Sequence, residues 1–443
     1  MLASRRHRRS LAVGLGVLWL APCLARASEN AATHEDPVAL VALALAVILV
    51  VAKLGGDLAT RVGQPAVLGE LVAGVILGNL GLVGIGLFEP LKTDIHLDML
   101  ARLGVLILLF EVGLESTVGQ MMKVGVSSIL VAVLGVVAPF GLGFGVSAFL
   151  LPDHSLYVHL FIGATLTATS VGITARVLKD LDKSQTPEAR VILGAAVIDD
   201  VLGLVILAAV AGVIAAADQG TSLSYGAIGW ILFKAGAFLV LSIVLGVLFS
   251  ARLFKLASHL RTRGVLLALG LGFCFFLSWL AGFIGLAPIV GAFAAGLILE
   301  ETHYRGFVDK GEHPLEHLIH PIAGFLVPVF FVLMGMRTDL SQFADTSVLV
   351  LAGALTAVAI LGKQICALGV VGGGVDRLTV GVGMIPRGEV GLIFANIGLT
   401  LQVKGEHIID PKTFSAVVIM VIVTTMVTPA ALKWAIARAA RRA

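Results

Sequence analysis

The chain has 443 residues, 58% hydrophobic and 13% charged, with a mean hydropathy of +1.02. Soluble domains run near about 45–50% apolar and about 25% charged, so a water-soluble enzyme is excluded, as are a disordered chain and a collagen-like repeat. Thirty-one Lys and Arg against 28 Asp and Glu give a formal +3, and three cysteines supply neither a disulfide framework nor a C-x-x-C metal pair.

The first segment reads as a targeting signal. Arg5-Arg6-His7-Arg8-Arg9 precedes the apolar run Leu11 to Leu24 and then Ala25-Arg26-Ala27. A basic region, a short apolar stretch and an A-x-A site form a secretory signal peptide over 1–27. An uncleaved first helix is the alternative, although the run is short against the roughly 20 residues a span needs. Loss of the segment's five arginines would leave 26 basic residues against 28 acidic ones.

From residue 28 to 443 one membrane domain is expected. Long apolar windows fall near 37–53, 64–87, 97–114, 123–150, 156–176, 190–216, 225–250, 264–282, 284–300, 318–336, 346–372, 378–400 and 412–433. Each is near the length of a transmembrane helix, giving an all-α polytopic protein with about 13 spans. The division least defined by sequence is 264–300, where Gly282 to Pro288 reads as a tight loop or a kink. An outside N-terminus puts the C-terminus inside. On that orientation 18 loop lysines and arginines fall on the cytoplasmic side, and only Lys92, Arg337, Lys404 and Lys412 outside. This bias is the positive-inside signature, here of a bacterial inner membrane. No Gly-rich nucleotide motif follows the last span, and neither a cofactor nor a nucleic-acid partner is indicated.

Ionisable groups inside spans cost about 2.5–3.5 kcal/mol each and need a partner or a wet cavity. Arg102 and Glu111 lie close enough to span ends to snorkel. Lys234 sits deeper with no acid obviously placed for it. Glu70, after Gln64-Pro65, suits either a cytoplasmic mouth or a helix start. Asp199, Lys363, Arg387 and Glu389 each fall roughly 14–17 Å from the cytoplasmic face at 1.5 Å per residue, and Thr167 reaches the same depth. Asp200 follows Asp199 directly. Four helices thus carry polar groups to the midplane of a core about 30 Å thick. For Arg387 with Glu389, an ion pair that only ties helices together explains the placement equally well.

The fifth and twelfth windows are also irregular. Thr165, Thr167, Thr169, Ser170 and Thr174 crowd one around Gly172, and Gly383, Pro386, Gly388 and Gly391 crowd the other. Two interrupted helices entering from opposite sides point to an inverted-repeat transporter with a midplane site. Gly/Thr helix packing is the plainer alternative.

These residues resemble the monovalent cation:proton antiporter-2 family, the sodium/hydrogen exchangers. The resemblance rests on Gln64-Pro65-Ala66-Val67-Leu68-Gly69-Glu70, Phe110-Glu111-Val112-Gly113-Leu114-Glu115, Ala168 to Thr174, Ile198-Asp199-Asp200-Val201 and Pro386-Arg387-Gly388-Glu389-Val390-Gly391-Leu392. It implies a homodimer whose dimerisation helices interleave with a core of two crossed, broken helices. It also implies that Asp200 binds the cation while Asp199 pairs with Lys363, and that an Asp-Asp pair marks electrogenic members. Exchange of Na⁺ or Li⁺ for H⁺ is then expected, K⁺/H⁺ exchange being the nearest alternative.

The chemistry is consistent with that implication. Asp199, Asp200 and Lys363 sum to −1 when ionised, and either Na⁺ or a proton on Asp200 brings the sum to zero, so the two compete. Hydroxyls or freed carbonyls from Thr167, Thr169 and Ser170 are candidates to complete the shell. An intramembrane aspartyl protease does not fit, because neighbours on one helix point about 100° apart and cannot share a water. A channel or solute symporter of the same architecture remains a rival. The histidines His303, His313, His317 and His320 form either a pH-sensing loop or a solvated one.

Overall fold

The computed structural model describes residues 37–115, 125–181, 183, 186–218, 225–260, 262–299, 301–309, 311–372 and 374–441. The expected signal peptide lies outside them, as do the side chains of several helical residues, including Glu389 and His303. The described helices are α1 (Pro37–Arg61), α2 (Ala66–Gly78), α3 (Ile95–Glu115), α4 (Val126–Leu150), α5 (Leu156–Thr165), α6 (Val171–Asp180), α7 (Pro187–Asp218) and α8 (Tyr225–Ala257). There follow α9 (Val265–Phe283), α10 (Pro288–Ile298), α11 (Glu301–Val308), α12 (Leu315–Met336), α13 (Thr346–Cys366), α14 (Arg377–Gly383), α15 (Gly388–Thr400) and α16 (Pro411–Ala440). The only strands among the described residues, β1 (Gln402–Val403) and β2 (Glu406–His407), form a small hairpin.

Every apolar window contains a helix or a helix pair. Among the described residues eight helices meet the length and hydropathy of a bilayer crossing by themselves, with α7 and α16 giving the longest such stretches at 32 and 30 residues. The others are short, broken or, like α3, interrupted by Asp98, Arg102 and Glu111. The window 264–300 divides at a turn: Gly285 takes φ +83° and Pro288 opens α10, where its missing N–H costs nothing.

Two boundaries differ from the hydropathy reading. The window 64–87 stays apolar beyond the end of α2, but Gly81, Gly84 and Gly86 cannot hold a helix, and the chain continues as short 3₁₀ turns. Asn79 fixes this exit. Its Nδ2 donates to Val75 O at 2.8 Å and Thr338 O at 2.7 Å, and its Oδ1 accepts from Leu340 N at 2.9 Å. The loop expected after 300 also contains an extra helix, α11.

Packing divides the helices into two groups. In one, α1, α2, α3, α9, α10 and α12 lie against each other; in the other, α4, α5, α7, α13, α14 and α16 do, with α8 between α7 and α10. Each group draws on both halves of the chain. Contacts are close because small residues meet: a Cβ on Gly55 would lie 2.4 Å from Gly69 O, so α1 and α2 touch backbone to backbone. Such small-residue crossings replace the hydrophobic drive that lipid removes. At one end of the molecule Asp345 caps α13 through Ser347 N and accepts from Lys412 Nζ at 2.9 Å. The Lys412 ammonium and the Ser347 hydroxyl hold this carboxyl down at about 2. The contribution of this contact is complete above the free value of 3.8 and is lost only as pH falls through about 2.

Candidate functional site

The two interrupted windows are broken where threonines, Pro386 and glycines predict. Between α5 and α6 the backbone leaves the helix at Leu166 to Ser170, and between α14 and α15 at Met384 to Arg387. The breaks lie against each other and satisfy one another. Ser170 N donates to Pro386 O at 2.8 Å, Thr174 Oγ1 donates to Gly383 O at 2.6 Å, and Arg387 Nη1 donates to Ala168 O. Interrupted helices survive in a membrane only when their freed groups find such partners.

Gly388 opens α15 at φ +41°, and a Cβ there would lie 2.5 Å from Ser170 Cβ and Oγ. Gly388→Ala therefore adds left-handed strain to a collision at the crossing. A loss of about 2–4 kcal/mol is expected, read as a lowered melting temperature in detergent.

Two cations sit at the C-terminal end of α5, where the helix dipole is negative. Lys363 on α13 is 0% exposed; its Nζ donates to Thr167 O at 3.1 Å and to Asp199 Oδ1 and Oδ2 at 3.0 and 3.2 Å. Arg387, also 0% exposed, donates to Ala168 O and, at 3.1 Å, to Ala359 O. A fully desolvated ion pair is tolerable only with its remaining polar atoms engaged, as those of Lys363 are.

The neighbouring acids of α7 face different surroundings. Asp199 is 1% exposed and turned to Lys363. Asp200 is half-buried and lines a cavity of about 370 Å³. That cavity is also walled by Thr169, Ser170, Gly388 and Thr425, and it reaches Glu111 and Pro65 at one end of the molecule. Thr169 Oγ1 and Thr425 Oγ1 are buried without a hydrogen-bond partner among the described residues. A carboxylate among unengaged hydroxyls is a hard-oxygen donor set that suits a small monovalent cation.

A second cavity of about 390 Å³ opens at the opposite end, lined by Arg102, Ala215, Ala287 and Asn396. Leu392 lines the first cavity and Ile393 the second, so neighbouring residues of α15 face the two cavities, which share no lining residue.

The expected site residues divide accordingly. Asp199, Lys363, Arg387 and Thr167 meet at one place, and Asp200, Thr169 and Ser170 share the cavity wall. Thr167 differs from the expectation: its hydroxyl donates back to Ala164 O at 2.7 Å and its carbonyl is held by Lys363, so neither oxygen leads the cavity. Arg387 was expected in an ion pair or in proton coupling, yet its described partners are carbonyls of two other helices. The Glu389 side chain lies outside the described residues. Glu70 is buried and 3.9 Å from Lys53. Glu111, read as a snorkelling residue, reaches the exposed His320 at 3.2 Å and also stands on the cavity wall. Thr425 was not anticipated at all; a threonine in an apolar helix carries no signal of its own, since hydroxyls bond back to their own turn.

Comparison with known proteins agrees with this arrangement. Residues 45–438 match the family described as sodium/hydrogen exchanger, transmembrane. The high-affinity Na⁺/H⁺ antiporter NhaS3 of Synechocystis sp. is 38% identical, over 93% of this chain and 93% of that protein. The Na⁺/H⁺-K⁺ antiporter GerN of Bacillus cereus is 34% identical, over 88% and 95% respectively. The solved structure of the sodium proton antiporter MjNhaP1 from Methanocaldococcus jannaschii has a TM-score of 0.64 with this chain at 17% identity, covering 90% of this chain and 97% of that one, a likeness of fold. With two crossed helix breaks, a buried Asp–Lys pair and a match running from α1 to α16, the chain belongs to the sodium/hydrogen exchanger family.

Proposed function

We propose that the protein exchanges Na⁺ or Li⁺ for H⁺ across the bacterial inner membrane, with both ions competing for Asp200. The observation that carries this reading is the division of labour between adjacent acids. Asp199 is committed to Lys363, whereas Asp200 stands on the wall of a cavity that two unengaged hydroxyls, of Thr169 and Thr425, also line. Sodium on Asp200 and a proton on Asp200 leave the site with the same charge, whatever fixed charges surround it. The two loaded forms therefore meet the same cost on crossing; counting Asp199, Asp200 and Lys363 alone they are neutral, and the empty form at −1 meets a larger one. That difference converts a binding site into an exchanger without a leak. The separate linings of the two cavities, with Leu392 in one and Ile393 in the other, support a path that opens to one side at a time.

The loop charges support an orientation in which the Asp200 cavity faces the cytoplasm, with thirteen crossings and an outside N-terminus after signal cleavage; a homodimer is part of this reading on the family resemblance alone. Glu111 rather than Glu70 then stands at the mouth of the open path. Exchange is electrogenic in this reading: if Lys363 yields a proton when Asp199 is released, two protons move per cation. Potassium is the second candidate cation, because one relative, GerN, is named for Na⁺, H⁺ and K⁺.

Proteoliposomes loaded with a pH dye test the proposal. With an imposed pH gradient, Na⁺ and Li⁺ are expected to relieve quenching, and reversal of the cation gradient is expected to reverse proton flow. Proton movement that no monovalent cation drives, or cation flux uncoupled from protons, would overturn it.

A further inference from the structure

One charge of the spans is not used by ion exchange. Lys234 lies on α8, and its Nζ is 3.4 Å from Ile284 O, at the C-terminal end of α9. Among the described residues no carboxylate lies within ion-pairing distance of it. Lys234 sits at the head of a groove of about 510 Å³ between α8 and α9, whose walls are otherwise almost wholly apolar. On α8 the lining continues through Ala237, Leu241, Leu245 and Phe249, a stripe at helical spacing. From Lys234 to Phe249 it runs about 22 Å, enough to span the roughly 15 Å hydrocarbon depth of one leaflet.

Aromatic side chains mark the same level. Trp230 stacks on Phe233 with centroids 5.4 Å apart, and Trp279 on Phe283 at 5.5 Å; both tryptophans are mostly exposed. Tryptophans gather where headgroups meet hydrocarbon. A lysine at that level, unpaired by any carboxylate and already turned toward a helix terminus, presents a cation to a phosphate. A recessed groove below it leaves its lining without contacts unless a flexible chain fills it.

We propose that this groove is a binding site for one anionic phospholipid. Its phosphate sits on Lys234 and one acyl chain lies along α8 and α9. On the proposed orientation this is the outer leaflet. The site is separate from the Asp200 cavity, and its test does not depend on ion exchange.

Native mass spectrometry of the delipidated full-length protein, with phosphatidylglycerol and phosphatidylcholine added in equal amounts, measures the site directly. Wild type is expected to retain one phosphatidylglycerol in about fivefold preference, equivalent to about 1 kcal/mol. Lys234→Gln removes the preference and Lys234→Arg keeps it. Ala237→Trp, which fills the groove and leaves the lysine in place, loses the retained lipid. An unchanged preference in Lys234→Gln overturns the proposal. So does efficient disulfide cross-linking between copies carrying Leu241→Cys in vesicles, because a second copy of the chain would then cover the groove.

Discussion

Asp200→Asn is expected to abolish cation-driven proton movement while leaving the fold intact. Asparagine preserves the size of the side chain and one oxygen on the cavity wall, so packing on α7 changes little. What disappears is the charge. A unit charge at about 4 Å and an effective dielectric of about 20 is worth about 4 kcal/mol, close to a thousandfold in cation affinity. The amide also has no proton to exchange, so both loaded forms are lost together. The neighbouring substitution provides the contrast. Asp199→Asn leaves the fully buried Lys363 ammonium without its counter-ion, and breaking a buried pair in this way costs about 3–5 kcal/mol. The first variant should therefore keep its melting temperature and lose dye dequenching, and the second should lose melting temperature. Normal exchange by Asp200→Asn would sink the assignment of the ion to this carboxylate.

The pairing of these residues was partly legible from counting alone. Depths obtained from 1.5 Å per residue placed Asp199, Lys363, Arg387 and Thr167 in one layer; Lys363 hydrogen-bonds Asp199 and Thr167 O, and Arg387 takes the next carbonyl, Ala168 O. The two breaks were legible because proline, glycine and threonine clusters leave few other options to a membrane helix. Direction was not legible. Adjacent residues point about 100° apart, but the sequence does not say which of Asp199 and Asp200 turns to Lys363; packing of α4, α5 and α14 against α7 decides it. The partners of Arg387 were hidden for a similar reason, because a carbonyl is present at every position and only the crossing of two helices exposes those of Ala168 and Ala359. The place of Glu111 on the cavity wall was not legible, because distance from a helix end measures depth and not the side to which a residue faces. The fold was readable to within a few residues except where apolar composition outran helical propensity, as it did at Leu80 to Leu87.

Arg387 also bears on charge. A count restricted to Asp199, Asp200 and Lys363 omits a guanidinium fully buried beside them. Competition at Asp200 is unaffected, because both ligands bring one positive charge to the same atom. The absolute charge of the moving site is affected, and a second proton carrier would make it voltage-sensitive.

Lys363→Ala isolates that carrier. Removing the ammonium takes a donor from Thr167 O and the counter-ion from Asp199, and a lone carboxylate in so dry a place takes up a proton to become neutral. The variant is expected to lose about 3–5 kcal/mol of stability. In proteoliposomes it should retain slow exchange, since Asp200 and its hydroxyl neighbours remain. Its rate should no longer respond to an imposed membrane potential, because only one charge is then exchanged for one. Combining it with Asp199→Asn removes the stranded carboxylate, so the double variant should regain melting temperature without regaining the voltage response. That pattern separates a proton-carrying lysine from a structural one. If Lys363 merely held α13 against α7, stability and voltage response would recover together, and a single variant that still accelerates with potential would exclude the lysine as a proton carrier.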